Sequence, residues 1–287
     1  MNNQIGHVVI LGGKGLVGPY LTQRLAASGS KVSVVSRTEP ALPPEAEWIP
    51  CSDLADGHVQ LPDQSYVIST WPIWVLAEHV DKLQSAKHIV ALSSTSGVSK
   101  RNSKTACERN IARQIIDAEH RLAAETEAAD TPYTILRPTI IYDGVSDQSI
   151  NQIATVMRRF GFFAVAGAGQ GLRQPIHADD VALAALHALD NPEAFGQTLE
   201  LTGGETLDYR TFVERIARGL GQTPRIVGVP AFLLRAVIRM WGRMSETSLN
   251  PSMIDRMNQD LVYDGSEARR RLRSEPRHFY PAIHGPR

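Results

Sequence analysis

The stretch VVILGGKGLVG, residues 8–18, constrains the fold of this chain more than any other. Four apolar, mostly β-branched residues predict a strand buried on both faces, and Gly12, Gly15 and Gly18 follow before a helical pattern opens. Glycine permits a tight turn and close backbone approach, and the first turn of a helix presents unpaired N–H groups at the positive end of its dipole. Strand, loop and helix in this register form the place where a dinucleotide pyrophosphate is held, with Lys14, Leu16 and Val17 in the same cradle.

Downstream, short strand-like runs alternate with helical patterns. KVSVVS, EWIPC, YVIST, HIVAL and YTILRP are separated by helices expected over 17–28, near 73–86 and in a long segment that carries Ile111, Ile115, Ala118 and Leu122 on one face. The alternation predicts an α/β fold: a Rossmann-type doubly wound parallel sheet with a smaller C-terminal substrate lobe. Residues 1–142 would form the nucleotide-binding domain, with segments near 165–205 returning to it, and 143–287 mostly the closing lobe.

Composition narrows the partners. Thirty basic and thirty acidic side chains leave zero formal charge, so no overall field gathers nucleic acid, and a small-molecule substrate is the expected partner. Cys51 and Cys107 are too few for a disulfide framework or a cysteine-rich metal site, and the N-terminus has no basic segment ahead of an apolar run. A cytoplasmic protein without signal peptide or metal is expected. VPAFLLRAVIRMWG, broken by Pro230, Arg235 and Arg239, is too short and too charged to span a bilayer. Its amphipathic pattern, with Phe232, Leu233, Ala236, Val237, Met240 and Trp241 between arginines, fits three roles: closing a substrate pocket, docking a partner or second copy, or lying on a membrane surface.

The second strand ends in VVSRTE. An acidic residue there would hold an adenosine ribose, whereas Arg37, next to Ser36, suits a 2′-phosphate, and Lys14 adds a second charge. Glu39 is the alternative that leans toward NAD(H). The expected preference is NADP(H) over NAD(H).

GGKGLVG, SDLADG, ALSSTS, LRPTIIYDG, QPIHADDVALA and GSEARRRLRSEPRHFYP together resemble the extended short-chain dehydrogenase/reductase family of epimerases and dehydratases, over nearly the whole chain. The resemblance implies that Asp53 and Leu54 flank the adenine, that Ser69, Thr70 and Ser93 lie near the cofactor, and that Thr95 takes the active-site Ser/Thr position. It also implies that the segment after Pro138 closes over the nicotinamide, and that His177, Asp179 and Asp180 join sheet to lobe.

That family's chemistry uses a tyrosine whose pKa, ordinarily about 10, is lowered by a lysine four residues on. Here Tyr20, Tyr66, Tyr133, Tyr142, Tyr209, Tyr263 and Tyr280 are followed at that spacing by Arg24, Thr70, Arg137, Ser146, Val213, Glu267 and His284. Aligned on LAAE, the tyrosine position falls on Asp117 and the lysine position on Arg121. Thr95, Asp117 and Tyr142 are the remaining catalytic candidates, and Arg121 can still hold ribose hydroxyls or a phosphate; His120 falls on a different flank. RRFGFFAVAGAGQGLRQPIHADDVA is similar to the atypical branch that includes the NADPH-binding accessory subunit of respiratory complex I, in which turnover is in doubt. Trp71 and Trp74 in STWPIW fit either a wall beside the cofactor or packing on the next helix. Two readings stand: an NADP-dependent oxidoreductase or epimerase-like enzyme with a non-standard proton relay, and a nucleotide-binding sensor or assembly protein without turnover.

Overall fold

The computed structural model describes residues 6–52, 61–62, 64–241 and 252–283. Two compact units are formed: 1–139, 178–201 and 264–275 make the first, and 140–177, 202–263 and 276–287 the second.

In the first unit, seven strands make one parallel sheet. Numbered along the chain, they are β1 (Val8–Leu11), β2 (Val32–Ser36), β3 (Ala46–Pro50), β4 (Tyr66–Ser69), β5 (His88–Leu92), β6 (Tyr133–Pro138) and β11 (Gln197–Leu201), in the order β11-β6-β5-β4-β1-β2-β3. Every pairing is parallel. All residues of β1, β2, β4 and β5 are buried, as strands covered on both faces require, and the half-exposed edge strand β3 ends in Pro50, where no ladder donor is needed. Strand order reverses between β1 and β4, which leaves a crevice beyond their carboxyl ends.

Helices α1 (Gly18–Ala27), α2 (Ile73–Ala77), α3 (Ser96–Ser99), α4 (Ala106–Ala128), α6 (Ala178–Ala188) and α10 (Ser266–Leu272) cover this sheet. Along α4, Ile115, Ala118 and Leu122 are buried and Ile111 packs partly buried on the same core. The helix expected over 73–86 is broken: α2 stops at Ala77, His79 leaves the helical region at φ −123°, and a 3-10 turn spans Val80–Leu83. The break turns Val80 and Leu83 into the core that Ile73 and Leu76 already face.

The second unit is built from α5 (Gln148–Phe160), α7 (Tyr209–Gly219), α8 (Ala231–Trp241), α9 (Ser252–Arg256) and three two-stranded ladders. β7 (Ile141–Tyr142) pairs with β10 (Ile176–His177), β8 (Phe163–Ala166) with β13 (Ile226–Val229), and β9 (Leu172–Arg173) with β12 (Leu207–Asp208). Asp147 caps α5 by accepting from Ile150 N at 2.9 Å, and Asp208 caps α7 by accepting from Thr211 N at 2.8 Å. Tyr142, Ile150, Met157, Phe212 and Phe279 form its core.

One buried group in the sheet carries a cost. His88, at the start of β5, is fully buried, with Nε2 3.0 Å from Thr134 Oγ1 and its ring centroid 4.7 Å from that of Phe195 in an edge-to-face arrangement. The Thr134 hydroxyl donates to Ala194 O at 2.7 Å, so the imidazole is the donor to threonine, and its Nδ1 makes no hydrogen bond. Burial pushes its pKa down from 6.5 to about 4. Between those values the unfolded chain binds a proton that the folded chain refuses, so stability falls as pH falls through this window, by about 3 kcal/mol in full. Denaturant unfolding at neutral pH and near pH 4 should show this loss, and His88→Leu should remove most of it; an unchanged pH dependence in the variant refutes the assignment.

Candidate nucleotide-binding site

The three glycines of the loop after β1 do different jobs. Gly12 has φ +103°, and a Cβ there would stand 2.4 Å from Thr70 Oγ1. At Gly18 a Cβ would stand 2.6 and 2.7 Å from the carbonyl oxygens of Gly13 and Gly12, so only glycine lets α1 start this close to the strand. Gly15 is different: the nearest atom to its Cβ would be Thr70 Oγ1, 3.9 Å away, and its backbone is exposed. The space in front of it is open. Helix α1 begins behind it with no capping side chain and no acidic residue in its first turn, and with Pro19, which has no N–H, at its start. Val17 occupies the cap position and Leu16 is half-buried. The loop, its open side and the bare helix end fit a pyrophosphate.

The hydroxyls at the end of β4 are turned onto this loop. Thr70 Oγ1 donates to Gly12 O at 2.6 Å while its N–H donates to Leu11 O at 2.7 Å, so one residue clasps the turn from below. Ser69 is buried and accepts from Trp71 N at 3.3 Å. Trp71 and Trp74 both pack partly buried on the sheet's core.

At the tip of β2, Ser36 donates to Thr38 O at 2.7 Å and accepts from Trp48 Nε1 at 3.1 Å, which makes it a brace for the tip. Lys14 Nζ donates to Thr38 Oγ1 at 2.7 Å, which ties the glycine loop to that tip. Arg37 is exposed, with no carboxylate partner among the described residues, and Glu39 is exposed two positions on. Thr38 thus has one cation bonded to its hydroxyl, Lys14, and another next to it in sequence, Arg37. Asp53 and Leu54, expected at the adenine, lie outside the described residues.

Beyond β5 and β6 the arrangement is held by a residue that the helical pattern alone passed over. Glu119 of α4 is 2% exposed; it accepts from Ser93 Oγ and from Arg137 through Nε at 2.9 Å and through Nη2. That hydrogen bonding raises the Arg137 pKa. Thr95 is buried and sends both its N–H and its hydroxyl to Pro138 O, each at 3.2 Å. Pro138 therefore serves as the acceptor that fixes the Thr95 turn.

Asp117 and Arg121 sit elsewhere on α4. Both are exposed and line, with Trp74 and Glu78, a depression of about 410 Å³ between α2 and α4. Arg121 Nε donates to Glu125 at 2.6 Å, so the i,i+4 pair forms, and that bond raises the Arg121 pKa. His120 is exposed. Glu119 stands four positions after Ile115 and three before Leu122, directly on the buried stripe, and a charge interrupting such a stripe was the signal available in the sequence.

Tyr142 belongs to the second unit's core. It is 2% exposed, its ring meets Phe279 and His177 edge-on at 4.8 and 5.0 Å, and its hydroxyl lies 3.5 Å from His278 O. In the first unit Asp179 takes a two-pronged bond from Arg24 at 2.6 and 2.9 Å, tying α6 to α1. Among the described residues no group of three or more His, Cys, Asp or Glu is placed to hold a metal ion, and no helix is long and apolar enough to cross a membrane.

No family model matches the chain. Two curated relatives are similar to it: subunit 9 of the NADH dehydrogenase [ubiquinone] 1 alpha subcomplex, mitochondrial, from Arabidopsis thaliana, 30% identical over 105 residues, and its Dictyostelium discoideum counterpart, 26% identical over 135 residues. The matches cover 36% and 45% of this chain but only 26% and 36% of those relatives' own length. Among solved structures, an epimerase from Methanothermobacter thermautotrophicus superposes with a TM-score of 0.73 at 16% identity, covering 98% of this chain and 91% of that one. UDP-glucose 4-epimerase from Thermotoga maritima, with UDP-glucose, gives 0.69 at 15% identity, covering 96% and 95%. A short-chain dehydrogenase/reductase superfamily protein from Agrobacterium tumefaciens, with bound NAD, gives 0.68 at 14% identity, covering 96% and 94%. Identities this low establish the fold, and it is the epimerase and short-chain dehydrogenase fold that the motifs resemble.

The buried and exposed acids of α4 should respond differently to substitution. Glu119→Ala leaves Arg137 without its partner and should cost about 3 kcal/mol in denaturant unfolding, whereas Asp117→Asn should leave stability within about 0.5 kcal/mol of the parent. Equal effects would refute the structural assignment of Glu119.

Proposed function

We propose that this protein is an atypical extended short-chain dehydrogenase/reductase that binds NADP(H) on the 12–18 loop and acts as a nucleotide-dependent accessory protein rather than as a turnover enzyme. The observation that carries this reading is the open side of Gly15, where a Cβ would meet nothing nearer than Thr70 Oγ1 at 3.9 Å, in front of an uncapped helix. Exposed Arg37, next to Thr38 in sequence, and Lys14, bonded to the Thr38 hydroxyl, support recognition of a 2′-phosphate, which NAD(H) lacks. The nicotinamide would supply hydride chemistry if a proton carrier stood beside it. The candidates in this chain are engaged in other ways: the Thr95 hydroxyl donates to Pro138 O, Tyr142 is buried in a core, and Asp117 is exposed on the side facing α2. The names of the two curated relatives, both subunits of a larger respiratory assembly, support a role with protein partners.

The competing reading is a reductase or epimerase acting on a small carbonyl compound or nucleotide sugar, with Thr95 and a water, Asp117 or Tyr142 as the relay. The epimerases among the structural neighbours support it.

Calorimetric titration tests the binding claim. NADPH should bind at least about tenfold more tightly than NADH, and Arg37→Ala should bring the two together by weakening NADPH about ten- to a hundredfold, the worth of one charge-assisted hydrogen bond. Gly15→Val should abolish binding of both while keeping the parent melting temperature. A preference for NADH, or full affinity in Gly15→Val, overturns the assignment. In the same samples the reduced cofactor should survive a panel of carbonyl compounds and nucleotide sugars. Oxidation that is lost in Asp117→Asn would establish the enzyme reading instead.

A further inference from the structure

The zero net charge of the chain conceals a strong local imbalance. Residues 148–178 and 215–245 contain nine arginines, no lysine and no acidic residue. These two windows come together in the second unit, where β8 and β13 pair in parallel with Phe163 opposite Ile226 and Ala164 opposite Val227. Alternation along the ladder sends Phe163 and Val165 into the core and leaves Phe162 and Val227 outward, 43% and 48% exposed. Phe160, at the end of α5, is 44% exposed, and its ring lies 6.4 Å from that of Phe162.

Helix α8 follows β13 and has the same inversion. Leu234 is buried, while Phe232 is 67% exposed, Leu233 is 46% exposed and Ala236 is exposed, so the apolar stripe read from the sequence points outward at its first turns. Arg158, Arg218 and Arg225 are exposed with no carboxylate partner among the described residues, and the Arg159 guanidinium lies 5.5 Å from the centroid of the Phe160 ring. Other arginines of these windows are engaged: Arg215 with Glu205, Arg235 with Asp255, and Arg173 with three backbone carbonyls.

We propose that this face of the second unit, formed by the end of α5, the β8–β13 ladder and the start of α8, docks on the surface of an anionic lipid bilayer. Exposed phenylalanine and leucine side chains are stabilised at the headgroup boundary, and the exposed Arg158 and Arg225 meet lipid phosphates. Phe232 and Leu233 are adjacent on one helical turn and diverge by about 100° around it, a splay that suits insertion between lipids better than entry into one protein pocket. The charge pattern also selects the occupant: the two windows bring arginines and no acid of their own, Asp255 of α9 is matched by Arg235, and the excess of arginine is complementary to an anionic plane. The docking is peripheral, since none of the described helices can cross a membrane.

Co-sedimentation of the full chain with vesicles tests this. It should pellet with vesicles of phosphatidylcholine containing phosphatidylglycerol, far less with phosphatidylcholine alone, and lose binding as salt is raised. Arg158→Gln and Arg225→Gln should each lower the partition coefficient about fivefold. Phe162→Ser with Phe232→Ser should abolish retention at unchanged melting temperature, since neither ring supports the core. Failure to bind anionic vesicles, equal binding to neutral ones, or insensitivity to both sets of variants overturns the proposal. So does loss of the exposed face to a dimer seen by sedimentation velocity, or preferential retention on an acidic peptide or oligonucleotide.

Discussion

The close approach of the loop after β1 to its neighbours is the constraint on which the first unit depends. Gly12 lies against Thr70, Gly13 against Val34 and Gly18 against the carbonyls of its own loop, each nearer than a Cβ would tolerate. Because β1 is flanked by β2 and β4 and buried on both faces, that contact pins the carboxyl ends of three central strands to the start of α1. Thr70 adds two hydrogen bonds to the loop, and Arg24 of α1 carries the restraint on to Asp179 of α6. A loop this tightly held presents its one open side, at Gly15, as a preformed surface, so little ordering is left for a ligand to accomplish.

Helix α4 shows how one element can carry two kinds of charge. Glu119 is removed from water and stabilised by a two-pronged guanidinium and a serine hydroxyl, an arrangement whose value lies in holding the ends of β5 and β6 together and which becomes costly when one partner is lost. Arg121 and Glu125, in contrast, form a pair that water screens. Helical geometry separates these sets: Asp117, Arg121 and Glu125 share one flank, and Glu119 falls on the stripe with Ile115 and Leu122. The flank on which the LAAE resemblance would set a proton relay is therefore the one facing α2, and the side chain facing the strand ends is an acid that already has its partners.

In the second unit the division of charge is regional rather than helical. Its core is aromatic, with the Phe279 ring in contact with both Tyr142 and Phe212, and its capped helices are ordinary in chemistry. The segments that carry the β8–β13 ladder, 148–178 and 215–245, hold arginines and no acid, and apolar side chains there face outward. In the first turn of α8, Leu234 is buried while Phe232 and Leu233 are exposed, so apolar character there does not by itself mark the core side.

The sequence by itself determined the sheet class, the position of the glycine loop between the first strand and the first helix, the cations near the tip of β2 and the absence of a tyrosine–lysine pair, because each depends on residue type at short spacing. The long helix and its Ile115, Ala118 and Leu122 stripe were legible for the same reason, as was the basic, apolar character of 230–241. Only the tertiary structure decided which charges are buried. Glu119 meets Arg137 across eighteen positions of sequence, and a one-dimensional period assigns it a face but no partner. The break after Ala77, the commitment of the Thr95 hydroxyl to Pro138, the place of Tyr142 in a core and the outward turn of Phe232 likewise depend on contacts between distant segments. Local propensity names the element, and packing against residues far along the chain chooses which of its faces meets water.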